Sequence, residues 1–436
     1  MKKIVSILLS VVLSAAMSLS AADREHTLKV YNWADYIDED LISEFEKWYE
    51  EQTGEKVTIV YQLFDINEVM LSKIEKGHED YDVVCPSDYI IERMLREDLL
   101  LPIGRDFGKA PDYLGNVAPF IMKMLGLVDA GGKDATEYAV PYMWGTIGIL
   151  YNPKFVTADE VKTWEVLRNP KYAGKIYVKD AFRDVYTSLL VYLKKDEIDA
   201  GKVTLDEVAR DASDESIALV ENWLNSMKEG VQGWEADFGK ELMTKEKGWL
   251  NLSWSGDAQW AMDEAEKVGV KLDYAVPQEG SNIWFDAWVI PKYARNVKAA
   301  RYFIDFMCKP ENAIRNMDVI GYVSAVGGPE ILEAQMDPDK YEPLDASYFF
   351  GPEATAVPLS YVLYPDKSVI ERCTMMHDSG DRTEALLAMW SRVKGDNASA
   401  LTYVIIALTL LAIILAMIFS RRKKSRRRKS SRRRRR

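Results

Sequence analysis

Between residues 26 and 95 the apolar residues switch repeatedly between a two-residue period and a helical one, and this alternation limits the possible folds more than any other feature. His26-Thr-Leu-Lys-Val-Tyr-Asn reads as a short strand. Asp38 or Asp40 can cap the helix that follows, with Leu41, Phe45 and Trp48 at helical spacing. Gly54 ends that helix, and residues 56–61 read as the next strand. Residues 67–76 read as a helix with Val69, Met70 and Ile74 inward, 81–85 as a third strand, and a helix then runs through Leu95. Parallel neighbours need a long crossover, and here each crossover is a helix, so the run predicts a parallel sheet covered by helices. In such sheets ligands bind beyond the carboxyl ends of the strands. Trp33, Asp35, Tyr36, Ser87 and Tyr89 all fall just after strand ends.

At 436 residues the chain exceeds one ordinary core, so two lobes are expected. The section from 142 to about 277 mixes helices over 214–227, with Ser213 as cap, and 258–268 with short strands at 175–178, 249–253 and 272–276. The segment 284–291 is apolar and strand-like, and a helix over 297–307 follows it. Two crossings between lobes, near 138–144 and near 284–288, suit a hinged molecule. One lobe is expected over 27–140 with 287–325, the other over 141–286 with 326–394.

The ends read differently. Lys2 and Lys3 precede an apolar stretch over 4–17, and Ser18, Ser20, Ala21 and Ala22 offer a cleavage site, the pattern of a secretory signal peptide over 1–20. Residues 395–400 form a linker, 401–419 run uncharged for the length of a bilayer, and 420–436 hold 13 basic residues. That order predicts one C-terminal transmembrane helix with a basic cytoplasmic tail, anchoring the exported domain at the extracytoplasmic face of the bacterial inner membrane. Setting aside those 13 residues and the two lysines of the signal peptide leaves 41 basic residues against 68 acidic, a net charge of −27. Such a field repels nucleic acid and favours cationic ligands.

Cys85, Cys308 and Cys373 are too few and too far apart for a disulfide framework. His26, His78 and His377 lack metal-ligand spacing, and neither a Gly-rich phosphate loop nor a Gly-x-Ser-x-Gly elbow occurs. No cofactor or metal is therefore expected, while the abundant acids leave catalytic carboxylate pairs, and with them a membrane-tethered hydrolase, open as an alternative. What recurs is tryptophan near aspartate, in Tyr31-Asn-Trp33-Ala-Asp35-Tyr36, Trp254-Ser-Gly-Asp257 and Trp284-Phe-Asp286. An indole face attracts an organic ammonium by roughly 0.5–2 kcal/mol. A carboxylate adds a charge-assisted hydrogen bond of roughly 1.5–3 kcal/mol. Most tryptophans pack in cores, and Trp48, Trp223 and Trp390 on amphipathic helices fit that reading. Trp33, Trp254 and Trp284 sit at strand ends beside acids and point to ligand contact. Asp257 either meets a ligand or caps a helix starting at Ala258. Asp286 lies in an apolar run, where a carboxylate needs a partner that a bound ammonium would supply.

Over residues 28–394 these segments resemble the periplasmic spermidine/putrescine-binding proteins of polyamine ABC transporters. The likeness rests on the three clusters above together with Tyr81-Asp-Val-Val-Cys-Pro-Ser87-Asp-Tyr89, Val140-Pro-Tyr-Met-Trp-Gly-Thr-Ile-Gly, Asp180-Ala-Phe-Arg-Asp184 and Ile320-Gly-Tyr322. It implies an α/β, two-lobe type II periplasmic-binding-protein fold with a hinged cleft, no catalysis, and a monomer. The implied partners are a small-molecule polyamine and a polyamine ABC permease in the membrane. By the same resemblance Trp33, Tyr36, Tyr89, Trp254, Trp284 and Tyr322 form an aromatic box, Asp257 and Asp286 bind amines, and Ser87 donates a hydrogen bond. Asp184 stands in the place of the family's acidic ligand in the second lobe, and Asp35 belongs to the opening motif. Ala181 departs from the pattern, since some spermidine-binding members carry an acid directly after the position of Asp180. A receptor for another organic cation or an amino acid on the same fold is the alternative, and the C-terminal anchor lies outside the usual family pattern.

Overall fold

The computed structural model describes residues 24–236 and 238–395. β1 (Thr27–Trp33) and β2 (Thr58–Phe64) pair in parallel on either side of α1 (Asp40–Thr53), and β3 (Val83–Val84) joins the other edge of β1 after α2 (Asn67–Glu75). α1 buries Leu41, Phe45 and Tyr49 and stops at Gly54, whose φ of 73° is the left-handed conformation that glycine adopts without penalty. The Asp38 carboxylate accepts from the Asp40 amide at the first helical position at 3.1 Å, whereas Asp40 itself lies inside the helix. Val69, expected to face inward on α2, is 51% exposed, because the buried stripe of that helix is Met70, Leu71 and Ile74.

After β4 (Leu100–Leu101) comes β5 (Ala139–Tyr151), one of two long strands on which the molecule is built. β6 (Ile176–Lys179), β7 (Val231–Glu235), β8 (Leu250–Trp254) and β9 (Asp273–Ala275) follow, and then the second long strand, β10 (Ser281–Pro291). β5 and β10 pair antiparallel and are buried along their whole length. The far end of β10 reaches β3 and β4, through Val289 beside Val84 and Ile290 beside Leu101. The far end of β5 pairs with β8 and β9, and β8 leads on to β6 and β7. Among the described residues the path runs β2-β1-β3-β10-β5-β8-β6-β7. The two halves of the sheet thus share only this central pair, which gives a two-lobe α/β architecture.

The β5–β10 register breaks once. Asp286 lies opposite Met143 while Ala287 lies opposite Pro141, so Tyr142 is the extra residue of a bulge. The short strand β11 (Val323–Ser324) pairs with β5 at the same place. Helices α3 (Asp88–Arg96), α4 (Phe182–Leu193), α5 (Asp214–Met227), α6 (Ser255–Lys267) and α7 (Val297–Met307) complete the elements used below. Ser213 caps α5 by accepting from the Ser216 amide at 3.2 Å. The described residues up to 386 belong to one compact unit and 387–395 to a second.

The expected C-terminal transmembrane helix is corrected. Among the described residues no helix is long and apolar enough to cross a membrane. The expected span at 401–419 lies outside the described residues, as do the signal peptide over 1–20 and the basic tail over 420–436. The described residues form the two-lobe α/β fold, in which no helix spans a membrane, so the fold gives no support to the membrane anchoring expected among the partners and in the localisation.

One buried acid ties the first lobe together. Asp82 accepts from the backbone amides of Lys29 at 2.9 Å, Arg295 at 2.8 Å and Asn296 at 2.8 Å, and pairs with Arg24 at 2.8 Å. Removing that acceptor takes a buried partner from three backbone amides and leaves Arg24 with Asp80 and the Thr27 carbonyl. Asp82→Ala is expected to cost about 3–5 kcal/mol in urea unfolding, and a loss within experimental error would refute this role.

Candidate functional site

Asp286 sits at the bulge, where β10 leaves one set of partners for another. Its carboxylate is buried and takes two short hydrogen bonds, from Ser87 Oγ at 2.6 Å and from Tyr36 Oη at 2.9 Å. Both donors are neutral hydroxyls. Among the described residues no lysine, arginine or histidine forms an ion pair with it. Burial pushes its pKa up to about 7 from the ordinary 3.8, the two hydroxyls pull against that, and the charge of Asp184 adds to it. Ser87 and Tyr36 come from the loops after β3 and β1, as their positions beyond strand ends require.

Asp184, in the first turn of α4, is the second carboxylate with neutral donors. Trp254 Nε1 donates to it at 3.3 Å and Asn282 Nδ2 at 3.1 Å, while burial raises its pKa to about 6. Arg183 is its sequence neighbour, but the guanidinium turns to the His377 carbonyl, Ser379 and Thr383 and lies over the Tyr89 ring. In the same region Asn282 Oδ1 and Trp284 Nε1 are buried polar atoms without a hydrogen-bond partner among the described residues.

Asp257 behaves differently. It lies in the first turn of α6, which begins at Ser255 with Trp254 as its N-cap residue, and no side chain caps that helix. The capping alternative therefore fails. Its Oδ2 pairs with Lys179 Nζ at 2.5 Å, and its Oδ1 pairs with Lys240 at 3.4 Å and accepts from Tyr322 Oη at 3.0 Å. Burial opposes its ionisation, yet these two lysines and the hydroxyl hold its pKa below the ordinary value. Gly256 is required by the same packing, because a Cβ there would come within 2.3 Å of the Tyr322 ring.

The aromatic rings connect these acids. Tyr36 meets Tyr322 edge-on at 5.3 Å, and Trp284 meets Tyr322 at 5.8 Å. Tyr36, Ser87, Asp184, Trp254, Asp257, Trp284, Asp286 and Tyr322 thus form one continuous cluster. Three expected residues stand at its edge. Trp33 donates its indole N–H to the Cys85 carbonyl at 2.9 Å and packs on Phe64. Asp35 is exposed on a left-handed turn, with a φ of 49°. Tyr89 is buried but donates to Glu68 at 3.2 Å and accepts from Asn67 at 3.1 Å. Sequence reasoning missed Lys179, Lys240, Glu235, Asn67 and Asn282. Lys179 carried a usable signal, since a lysine ending the apolar strand Ile-Tyr-Val-Lys must find an acid if it is buried.

A two-lobe α/β fold with buried acids and aromatic rings forming a cleft is the architecture of a solute receptor. The chain belongs to the bacterial extracellular solute-binding protein family, whose model matches residues 41–328. It is 29% identical to the putrescine-binding periplasmic protein PotF of Escherichia coli over 367 residues, covering 79% of this chain and 90% of the relative. It is 28% identical to the putrescine-binding periplasmic protein SpuD of Pseudomonas aeruginosa, covering 90% of this chain and 99% of the relative. The solved spermidine/putrescine ABC transporter substrate-binding protein PotD of Streptococcus pneumoniae superposes with a TM-score of 0.60 at 27% identity, over 85% of this chain and 99% of that one. The protein is a solute-binding protein homologous to spermidine/putrescine periplasmic binding proteins, and it has a buried aromatic and acidic cleft. The family is non-catalytic, and among the described residues no group of His, Cys, Asp or Glu could hold a metal ion.

The raised pKa of Asp286 has a measurable sign. Between about pH 4 and about pH 7 the native protein holds a proton that the unfolded chain has released, so this group's stabilising contribution is full below that window and is lost as pH rises through it. On going from about pH 5 to about pH 8, the ligand-free wild type should lose a few degrees more in melting temperature than Asp286→Asn. Identical pH profiles would refute the shift. Gly256→Ala should cost about 1–3 kcal/mol by displacing the Tyr322 ring, measured by urea unfolding, and an unchanged stability would count against that packing.

Proposed function

We propose that this receptor captures a polyamine of the putrescine and spermidine class outside the cytoplasm and delivers it to an ABC permease. The observation that carries the reading is Asp286, a buried carboxylate whose hydrogen-bond partners among the described residues are hydroxyls and whose charge is held back by burial. An alkylammonium supplies the missing counter-charge, and its methylenes pack on aromatic faces. In this reading Asp286 is the main ammonium anchor and Asp184 the second, with the orphaned Asn282 Oδ1 as a further acceptor. Tyr36, Trp254, Trp284 and Tyr322 form the walls and Ser87 orients Asp286. Trp33, Asp35 and Tyr89 serve the rim, and Asp257 acts through Tyr322 and Lys179. The names of the similar proteins, which bind putrescine or spermidine, support the same class of ligand.

Calorimetric titration of the full chain with putrescine, spermidine and spermine tests the reading, and neither heat nor thermal stabilisation from any of them would sink it. Asp286→Asn should weaken binding about tenfold or more, on the order of 1.4 kcal/mol. A dissociation constant that does not move would remove Asp286 from the role of anchor.

A further inference from the structure

We propose that Lys179 is a resident ammonium, filling the amine position formed by Trp254 and Asp257, and that it thereby makes the cleft selective for diamines over longer polyamines. This deepens the polyamine reading and rests on it. Lys179 lies at the end of β6 and is fully buried. Its Nζ is 2.5 Å from Asp257 Oδ2 and 3.2 Å from Glu235 Oε1, donates to the Ala236 carbonyl, and stands 4.6 Å from the Trp254 ring centroid. Two carboxylates, a carbonyl and an indole face use all three N–H bonds of the ammonium and one cation–π contact. These are the groups that would hold the end of an alkylamine.

The cage is built rather than incidental. Lys179 and Glu235 are direct cross-strand neighbours on β6 and β7. Glu235 is itself fixed by the Gly239 amide at 2.9 Å and by Asn251 Nδ2 at 3.3 Å. Gly239 has to lack a side chain, since a Cβ there would fall 2.4 Å from the Glu235 carboxylate. Burial alone would discharge Lys179, but Asp257 and Glu235 outweigh it and hold the pKa above the ordinary lysine value.

Charge then sets the ligand. Lys179 and Lys240 offset Glu235 and Asp257. Asp88 lies among the same acids, but burial pushes its pKa well above the ordinary carboxylate range and keeps it neutral. Asp184 and Asp286, each with neutral donors among the described residues, are the two left to carry charge. Two such carboxylates match the two ammonium groups of a diamine. A third ammonium would find the Trp254–Asp257 position already filled and would meet the like charge of Lys179, which is costly in a water-poor cleft.

The test is calorimetry on the full chain with butylamine, putrescine, cadaverine, spermidine and spermine, on the wild type and on Lys179→Met. A wild-type diamine affinity about tenfold or more above that for spermidine is expected. Lys179→Met should cut that preference by about tenfold by releasing Asp257 and Glu235 to a third ammonium. Spermidine binding as tightly as putrescine to the wild type would overturn the inference, as would an unchanged preference in a variant that still melts cooperatively. If Lys179→Met does not fold, the wild-type ranking decides alone. Binding without diamine preference overturns only the selection, whereas absence of binding by every amine overturns the polyamine reading along with it.

Discussion

The cost of burying a carboxylate governs this structure. An isolated anion in a protein interior is expensive, so each buried acid must be paired, hydrogen-bonded or left protonated. The cleft contains all three solutions side by side. Asp257 is paired with lysine, Asp184 is held by an indole and an amide, and Asp286 is held by two hydroxyls and pushed towards its neutral form. The fold supplies these settings by bringing residues from beyond β3, from the end of β8, from the middle of β10, from the first turn of α4 and from the loop after β1 to one place. Loops alone would not hold three carboxylates so close.

Much of the architecture could be read from the sequence because it is local. The strand and helix periods of the first lobe, the cap at Ser213 and the helix Val297–Met307 depend on neighbours within a few residues. The two crossings expected near 138–144 and 284–288 fall inside β5 and β10, whose apolar runs are long because both faces are buried. Val69 misled because a helical stripe can be drawn through either it or Leu71, and only packing chooses between them. The C-terminal run rested on apolarity and length alone; it lies outside the described residues, among which no helix is long and apolar enough to cross a membrane.

Long-range pairing was the part that stayed hidden. Lys179 and Asp257 are 78 positions apart, and nothing in either local sequence announces the other. The tryptophan-aspartate motifs look alike as words, yet Asp257 and Asp286 sit in opposite electrostatic settings, one depressed in pKa and the other raised. Trp33 and Asp35 share a motif with Tyr36, but only Tyr36 reaches Asp286. A motif gives the chemical type of a residue; its counter-ion is fixed by tertiary structure.

The bulge opposite Asp286 has a mechanical meaning as well as a geometric one. A bulge bends its strand and interrupts the ladder, and this one lies in the strand pair that both lobes share. The break in the ladder therefore falls opposite the residue that carries the cleft's central carboxylate. A counter-charge arriving at Asp286 would act beside the point of this strand pair where main-chain pairing is already interrupted.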